Sequence, residues 1–92
     1  MRKKSSFESV WARITSHAGK SFHTRTGLAF TYQLKGDLFH PSRTDYQIMK
    51  SDFLKAYRIV PIRGPAKIKD VVRGASYVWA VLHDPRVACR EW

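Results

Sequence analysis

Every second residue between Leu28 and Leu34 is large and apolar, and this alternation limits the possible folds more than any other feature. Side chains of a β-strand point alternately to opposite faces, so the four apolar side chains of this run would share one buried face. Lys35-Gly36-Asp37 follows directly and suits a tight turn, because glycine adopts positive φ without steric cost. The run therefore predicts a strand that opens an antiparallel hairpin.

Two further segments complete a predicted three-stranded antiparallel sheet. The chain returns over residues 38–40 and bends at Pro41, because proline cannot donate to a strand ladder. It resumes as a strand over residues 44–49. Residues 21–25, before a turn at Gly27, have the pattern of one more short strand.

A helix is predicted before the sheet, from about Ser6 to Ala18. Its apolar residues recur every three or four positions and form one stripe. Ser5 and Glu8 have the spacing of a capping box, which would satisfy two free backbone donors. Gly19 suits a left-handed end to this helix.

Two or three helices are predicted after the sheet. Ser51 is a good N-cap for the first, and Pro61 ends it. Residues 65–74 suit a short second helix that begins with proline and stops at glycine. Residues 76–82 are apolar all round, which fits either a buried strand or, with a serine cap and Asp84-Pro85 just after, a helix. The predicted class is α+β: an N-terminal helix, a three-stranded antiparallel sheet and two or three C-terminal helices packed on one face.

The length of 92 residues fits one domain over residues 1–92, with a flexible basic arm at 1–5 and a C-terminal tail at 88–92. Cys89 is the single cysteine, so an intramolecular disulfide is excluded and a cytoplasmic location is expected. The longest apolar run, residues 77–82, is far shorter than the roughly 20 residues that span a bilayer. No membrane association is expected.

Two segments carry a resemblance to a known family. One runs from Phe22-His-Thr-Arg-Thr-Gly-Leu-Ala-Phe-Thr-Tyr32 through Arg43 to Ser51-Asp-Phe53, and the other is Val72-Arg-Gly-Ala-Ser-Tyr-Val-Trp-Ala-Val-Leu-His-Asp-Pro-Arg86. Together they resemble a family of small uncharacterised bacterial proteins, some of them carried on mobile gene cassettes. The resemblance implies a bacterial, single-domain, cytoplasmic protein and carries no activity.

The balance of 17 Lys and Arg against 7 Asp and Glu gives a net charge of +10. That exceeds the range of about 2–8 typical of small soluble domains, and it predicts a polyanionic partner. We expect a binding protein rather than an enzyme, with nucleic acid (DNA or RNA) held through its phosphates. The candidate contact residues are Lys55, Arg58, Arg63, Lys67, Lys69 and Arg73, with Arg13, Lys20 and Arg25 as a second patch. The alternative for these charges is a solvated surface that keeps the protein soluble.

Other patterns leave further hypotheses open. Arg73-Gly74-Ala75-Ser76 fits either an anion site at a helix start or a simple stop and cap. The apolar residues 77–82 and the terminal Trp92 favour a protein-interaction or homo-oligomeric module. A nuclease would require His17 and His23 to converge. No cofactor and no metal site are expected, because no histidine, cysteine or carboxylate has ligand spacing. Most tyrosines and tryptophans are expected in the core rather than as stacking platforms for bases.

Overall fold

The computed structural model describes residues 4–92 and has an α+β architecture. The elements are α1 (Phe7–Ser16), β1 (Phe22–His23), β2 (Ala29–Phe30), β3 (Tyr32–Lys35), β4 (Leu38–Pro41), β5 (Ile48–Met49), α2 (Lys50–Tyr57), a 3₁₀ turn (Pro65–Lys67), α3 (Ala75–Leu82) and α4 (Pro85–Ala88). Strands β3, β4 and β5 form a three-stranded antiparallel sheet, and β1 pairs with β2 in a separate antiparallel ribbon. The predicted fold class is confirmed, with the ribbon as an addition.

Helix α1 follows the predicted pattern but has a different cap. Ser6, not Ser5, is the N-cap, and its Oγ accepts a hydrogen bond from the amide of Ser9 at 3.3 Å. The predicted capping box of Ser5 and Glu8 is wrong, because both side chains are engaged elsewhere: Ser5 bonds to Glu91, and Glu8 pairs with a lysine of α2. Gly19 has φ of +86°, as its predicted role in the turn after the helix requires.

The predicted strand over residues 28–34 divides between the two sheets at Thr31. Its amide donates to Ser42 Oγ at 3.0 Å, and its carbonyl accepts from the Ser42 amide at 2.8 Å. Phe30 and Tyr32 on either side are 3% and 1% exposed, as the alternation predicts, whereas Leu28 is 51% exposed. The strand prediction is thus correct for the buried face and wrong for its continuity and its first residue.

The hairpin that follows has the predicted turn. Gly36 has φ of +61°, and Lys35 lies opposite Leu38 in the β3–β4 register. Pro41 closes the ladder opposite Tyr32. The predicted last strand over residues 44–49 is shorter than expected, because only Ile48–Met49 pairs with β4.

The C-terminal half is helical. Helix α2 begins at Lys50, so Ser51 lies inside its first turn and is not the N-cap, and Asp52 accepts from the Met49 amide at 3.4 Å. The helical alternative for residues 76–82 is correct: α3 spans Ala75–Leu82, with its apolar residues in the core. The predicted helix over residues 65–74 is reduced to the 3₁₀ turn.

The two ends of the described chain meet. The amide and Oγ of Ser5 each bond to a carboxylate oxygen of Glu91 at 2.9 Å, and Lys4 Nζ donates to the carbonyl of Tyr57. Trp92 Nε1 donates to the carbonyl of Leu82 at 2.8 Å, and its ring packs edge-on against Tyr57. Residues 1–3 of the predicted arm lie outside the described residues, and the predicted tail is packed on the domain.

Candidate nucleic-acid interface

Most of the cations predicted to contact nucleic acid have no acidic partner. Eight of the nine are exposed and form no ion pair within residues 4–92. They are Lys20, Arg25, Lys55, Arg58, Arg63, Lys67, Lys69 and Arg73. The ion pairs of this part of the chain lie elsewhere, at Arg13–Glu91, Lys50–Glu8 and Arg86–Asp84. The charge of these eight residues is therefore not neutralised within the fold.

The ninth cation, Arg13, holds the C-terminal segment in place. One guanidinium nitrogen donates to Glu91 at 2.8 Å and to Ser5 Oγ, and the other donates to the carbonyl of Val87 at 2.9 Å. The hydrogen bond from Arg13 lowers the pKa of Glu91 to about 2. These contacts give Arg13 a structural role, and its predicted phosphate contact stays a prediction.

Arg25 joins the two predicted patches. Its Nη1 donates to the carbonyl of Arg63 at 2.6 Å, and its guanidinium lies 5.8 Å from the centre of the Trp79 ring, within cation–π range. A Cβ at Gly64 would lie 1.9 Å from the same nitrogen, so a glycine is needed for Arg25 to cross the backbone there. Arg25, a member of the predicted second patch, thus meets the segment around residue 63 of the first group.

Two side chains hold the loop that carries Arg63: Trp79 lies in α3, and His83 follows directly after that helix. The Ile62 amide donates to His83 Nε2 at 2.9 Å, and the Ile62 carbonyl accepts from Trp79 Nε1 at 2.7 Å. Since Nε2 accepts, the ring proton is on Nδ1, which lies 3.0 Å from the Trp79 carbonyl. Burial lowers the pKa of His83 and keeps the ring neutral. Arg63 therefore projects from a well-supported loop.

Cations of residues 62–73 line two hollows in the surface. The smaller one, about 290 Å³, includes Arg63 and Lys67 beside the exposed Ile59. The larger one, about 470 Å³, includes Lys69 and Arg73, and its other wall comes from residues 24–28, the turn that carries Arg25. The turn and residues 62–73 therefore border one another, both at this hollow and at the contact between Arg25 and the Arg63 carbonyl. We call Arg25, Arg63, Lys67, Lys69 and Arg73 the basic face.

The remaining candidates lie at or beyond the edge of this surface. Arg58 precedes Ile59, which lines the smaller hollow, and Lys55 lies about one turn earlier on α2. Both are exposed, and neither lines either hollow. Lys20 lies in the turn after α1, outside the two segments that form the basic face. Sequence reasoning had no signal for this division, because it depends on the contact between Arg25 and Arg63.

The Arg73-Gly74-Ala75-Ser76 motif borders the larger hollow. Gly74 has φ of +67° and directly precedes α3, so Ser76 is the second helical residue and not the predicted cap. The Arg73 guanidinium stacks over Tyr46, 4.8 Å from the ring centre. The motif thus places one cation and one exposed hydroxyl in the wall of the hollow.

The structure also places the residues named in the nuclease, metal, membrane and oligomer hypotheses. His17 Nδ1 lies 2.8 Å from the carbonyl of Arg13, and no hydrogen bond or ring contact within residues 4–92 joins His17 to the exposed His23. Within residues 4–92 no three histidine, cysteine or acidic side chains are grouped to hold a metal ion. No helix in that range is long and apolar enough to cross a bilayer. The apolar residues 78 and 80–82, which favoured an oligomer, are buried in the core.

Comparisons of the chain with family models, with curated proteins and with solved structures give no match. The resemblance to a bacterial family therefore stays a prediction from sequence.

Proposed function

We propose that this chain is a small, non-enzymatic, cytoplasmic protein that binds nucleic acid by contacting its phosphates with the basic face. One observation carries the proposal: exposed cations from two distant parts of the sequence adjoin through the Arg25–Arg63 contact and have no acidic partner within residues 4–92. Asp70, the acid between Lys69 and Val71, forms no ion pair with either hollow's cations.

Electrostatics explains why such a surface favours a polyanion. Cations held close together repel one another, and a phosphate chain relieves that repulsion while releasing its condensed counterions. An arginine or lysine that already has a carboxylate partner would have to exchange it, as Arg13 would. The residues of the basic face make no such exchange, and we propose that they supply most of the binding free energy.

The salt dependence of binding tests this proposal. On a single strand each phosphate contact contributes about −0.7 to the slope of log K against log salt concentration. The double variant Arg63→Gln, Lys67→Gln should therefore weaken binding at about 50 mM salt and reduce the slope by about 1.4. The binding of a labelled oligonucleotide, followed by fluorescence anisotropy over a salt series, measures both.

Lys20→Gln, Lys35→Gln is the matched control, because it removes the same charge from exposed positions outside the basic face. We expect this pair to change the slope much less. Equal effects of the two double variants would show that only net charge matters. Failure of both DNA and RNA to bind at about 50 mM salt would exclude the proposed function altogether.

A further inference from the structure

The larger hollow of the basic face has the size of a small-molecule site. Its volume of about 470 Å³ lies within the range of about 300–1,000 Å³ typical of ligand pockets, so it exceeds what a single phosphate ion would fill. No carboxylate is among the described residues that line it. Its polar lining consists of two cations and five hydroxyl-bearing residues: Lys69, Arg73, Thr24, Thr26, Tyr46, Ser76 and Tyr77.

Several of these polar groups are unused by the fold. Ser76 Oγ and the hydroxyl of Tyr77 form no hydrogen bond with another residue of the range 4–92, whereas the Tyr46 hydroxyl bonds to the side chain of Thr44. Thr24 differs, because its Oγ1 accepts from the Leu28 amide at 3.1 Å and lies 3.2 Å from Thr26 Oγ1. The hydroxyls of Ser76 and Tyr77 are thus available to sugar, phosphate or base edges.

The cleft also offers apolar and aromatic surface. Leu28 is 51% exposed in its wall, although its place in the sequence alternation would bury it. Tyr77 is half-buried, with its ring set edge-on against Phe30 at 5.0 Å. Stacking on such rings is tolerant of base identity, because every base has an aromatic face.

We propose that this cleft takes one unpaired nucleotide of a single strand, with its phosphate at Lys69 and Arg73 and its base against Leu28 and Tyr77. A base inside a duplex is covered on both faces by its neighbours and cannot enter a concave site. The inference rests on the proposed function and adds to it a preference for single strands over duplexes.

A carboxylate introduced into the cleft tests the inference. Ser76→Glu places a negative charge among the lining residues, and Ser51→Glu is its matched control. Both serines are exposed second residues of eight-residue helices, and both changes alter the net charge equally, but Ser51 lies outside the cleft. Binding is measured by anisotropy with a labelled strand of about 12 nucleotides and with its blunt duplex, at about 50 mM salt.

The wild type should bind the single strand about tenfold more tightly than the duplex, since one stacked base contributes about that factor. Ser76→Glu should remove most of this preference, whereas Ser51→Glu should leave it unchanged. Thr26→Glu, which enters the cleft from the other segment, should act like Ser76→Glu and serves if that variant does not fold.

The two proposals fail in distinguishable ways. If the wild type binds strand and duplex equally, or if Ser76→Glu and Thr26→Glu act no differently from Ser51→Glu, the cleft is not a nucleotide site, although the basic face still binds phosphates. If neither nucleic acid binds, both proposals are wrong.

Discussion

Gly74 is the residue at which backbone conformation and packing act together. Its φ of +67° lies in the left-handed region, and a Cβ there would come within 2.4 Å of Ile48 Cδ1 and 3.1 Å of the Tyr46 ring. Ile48 is fully buried and has little freedom to move aside. A side chain at this position would therefore disturb both the start of α3 and the core beneath it.

We expect Gly74→Ala to lower the free energy of unfolding by about 2–3 kcal/mol, from the cost of the left-handed conformation together with overpacking. Gly36→Ala is the matched control, because Gly36 also has positive φ but open space around its Cβ position. That variant should lose only about 1 kcal/mol. Urea denaturation of the two proteins measures the difference. Equal losses would mean that the core accommodates the added methyl group.

The sequence predicts the structural role of a residue correctly at some positions and wrongly at others. Gly19 and Gly36 were predicted to adopt positive φ from their neighbours in sequence, and both do. Ser5 and Ser51 were predicted as caps, and neither is. The position of a serine in the sequence shows only that it could cap a nearby helix. Ser5 instead bonds to Glu91, 86 positions away in the chain. Partners at such separations leave no local pattern.

At the scale of elements, the loop before the 3₁₀ turn depends on one histidine. His83 Nε2 accepts a hydrogen bond from the Ile62 amide, and that bond requires the neutral imidazole ring. Because burial lowers the pKa of His83, the folded state binds fewer protons here than the unfolded chain does. The stability that this residue contributes is present above the unfolded value of about 6.5, and it is lost as pH falls through the folded value.

We expect His83→Phe to cost about 1–2 kcal/mol of unfolding free energy at pH 7.5, because the Ile62 amide loses its acceptor while the ring stack on Trp79 persists. The wild type should lose stability between pH 7 and 5 more steeply than the variant does. Urea denaturation at several pH values checks both points, and His23→Phe is the control at an exposed position. Parallel pH profiles for wild type and His83→Phe would contradict this role.

The elements themselves were largely predictable, because each one has a local signal. The periodicity of α1, the hairpin turn at Gly36 and the Asp84-Pro85 pair after residues 76–82 all predict what the structure has. The break at Thr31 was not predictable. Both Phe30 and Tyr32 keep the alternation, whereas the amide and the carbonyl of Thr31 between them bond to Ser42, eleven positions on, where the chain passes from one sheet to the other.

At the scale of the whole molecule, the charge excess was visible in composition and its arrangement was not. Composition alone predicts a polyanionic partner for a chain of net charge +10. The separation of Arg13 from the other candidates depends on Glu91, and the contact of Arg25 with the first group of cations depends on the backbone carbonyl of Arg63. Both are contacts between distant parts of the sequence.

The unpaired cations should also weaken the free protein. We expect Arg63→Gln, Lys67→Gln to raise the free energy of unfolding by about 0.5 kcal/mol at low salt, because it reduces self-repulsion. The gain should vanish near 1 M salt, where screening acts over about 3 Å. Urea denaturation at the two salt concentrations measures it. A loss of stability at low salt would mean that these side chains contribute to the fold.

The contact between Ser5 and Glu91 has a consequence for how the domain can be joined to others. The Ser5 amide lies 2.9 Å from Glu91 Oε1, so the first and last segments of residues 4–92 adjoin. A domain with adjoining ends can be spliced into a surface loop of an unrelated host without stretching either protein. Such an insertion would transfer the basic face to the host protein together with the domain.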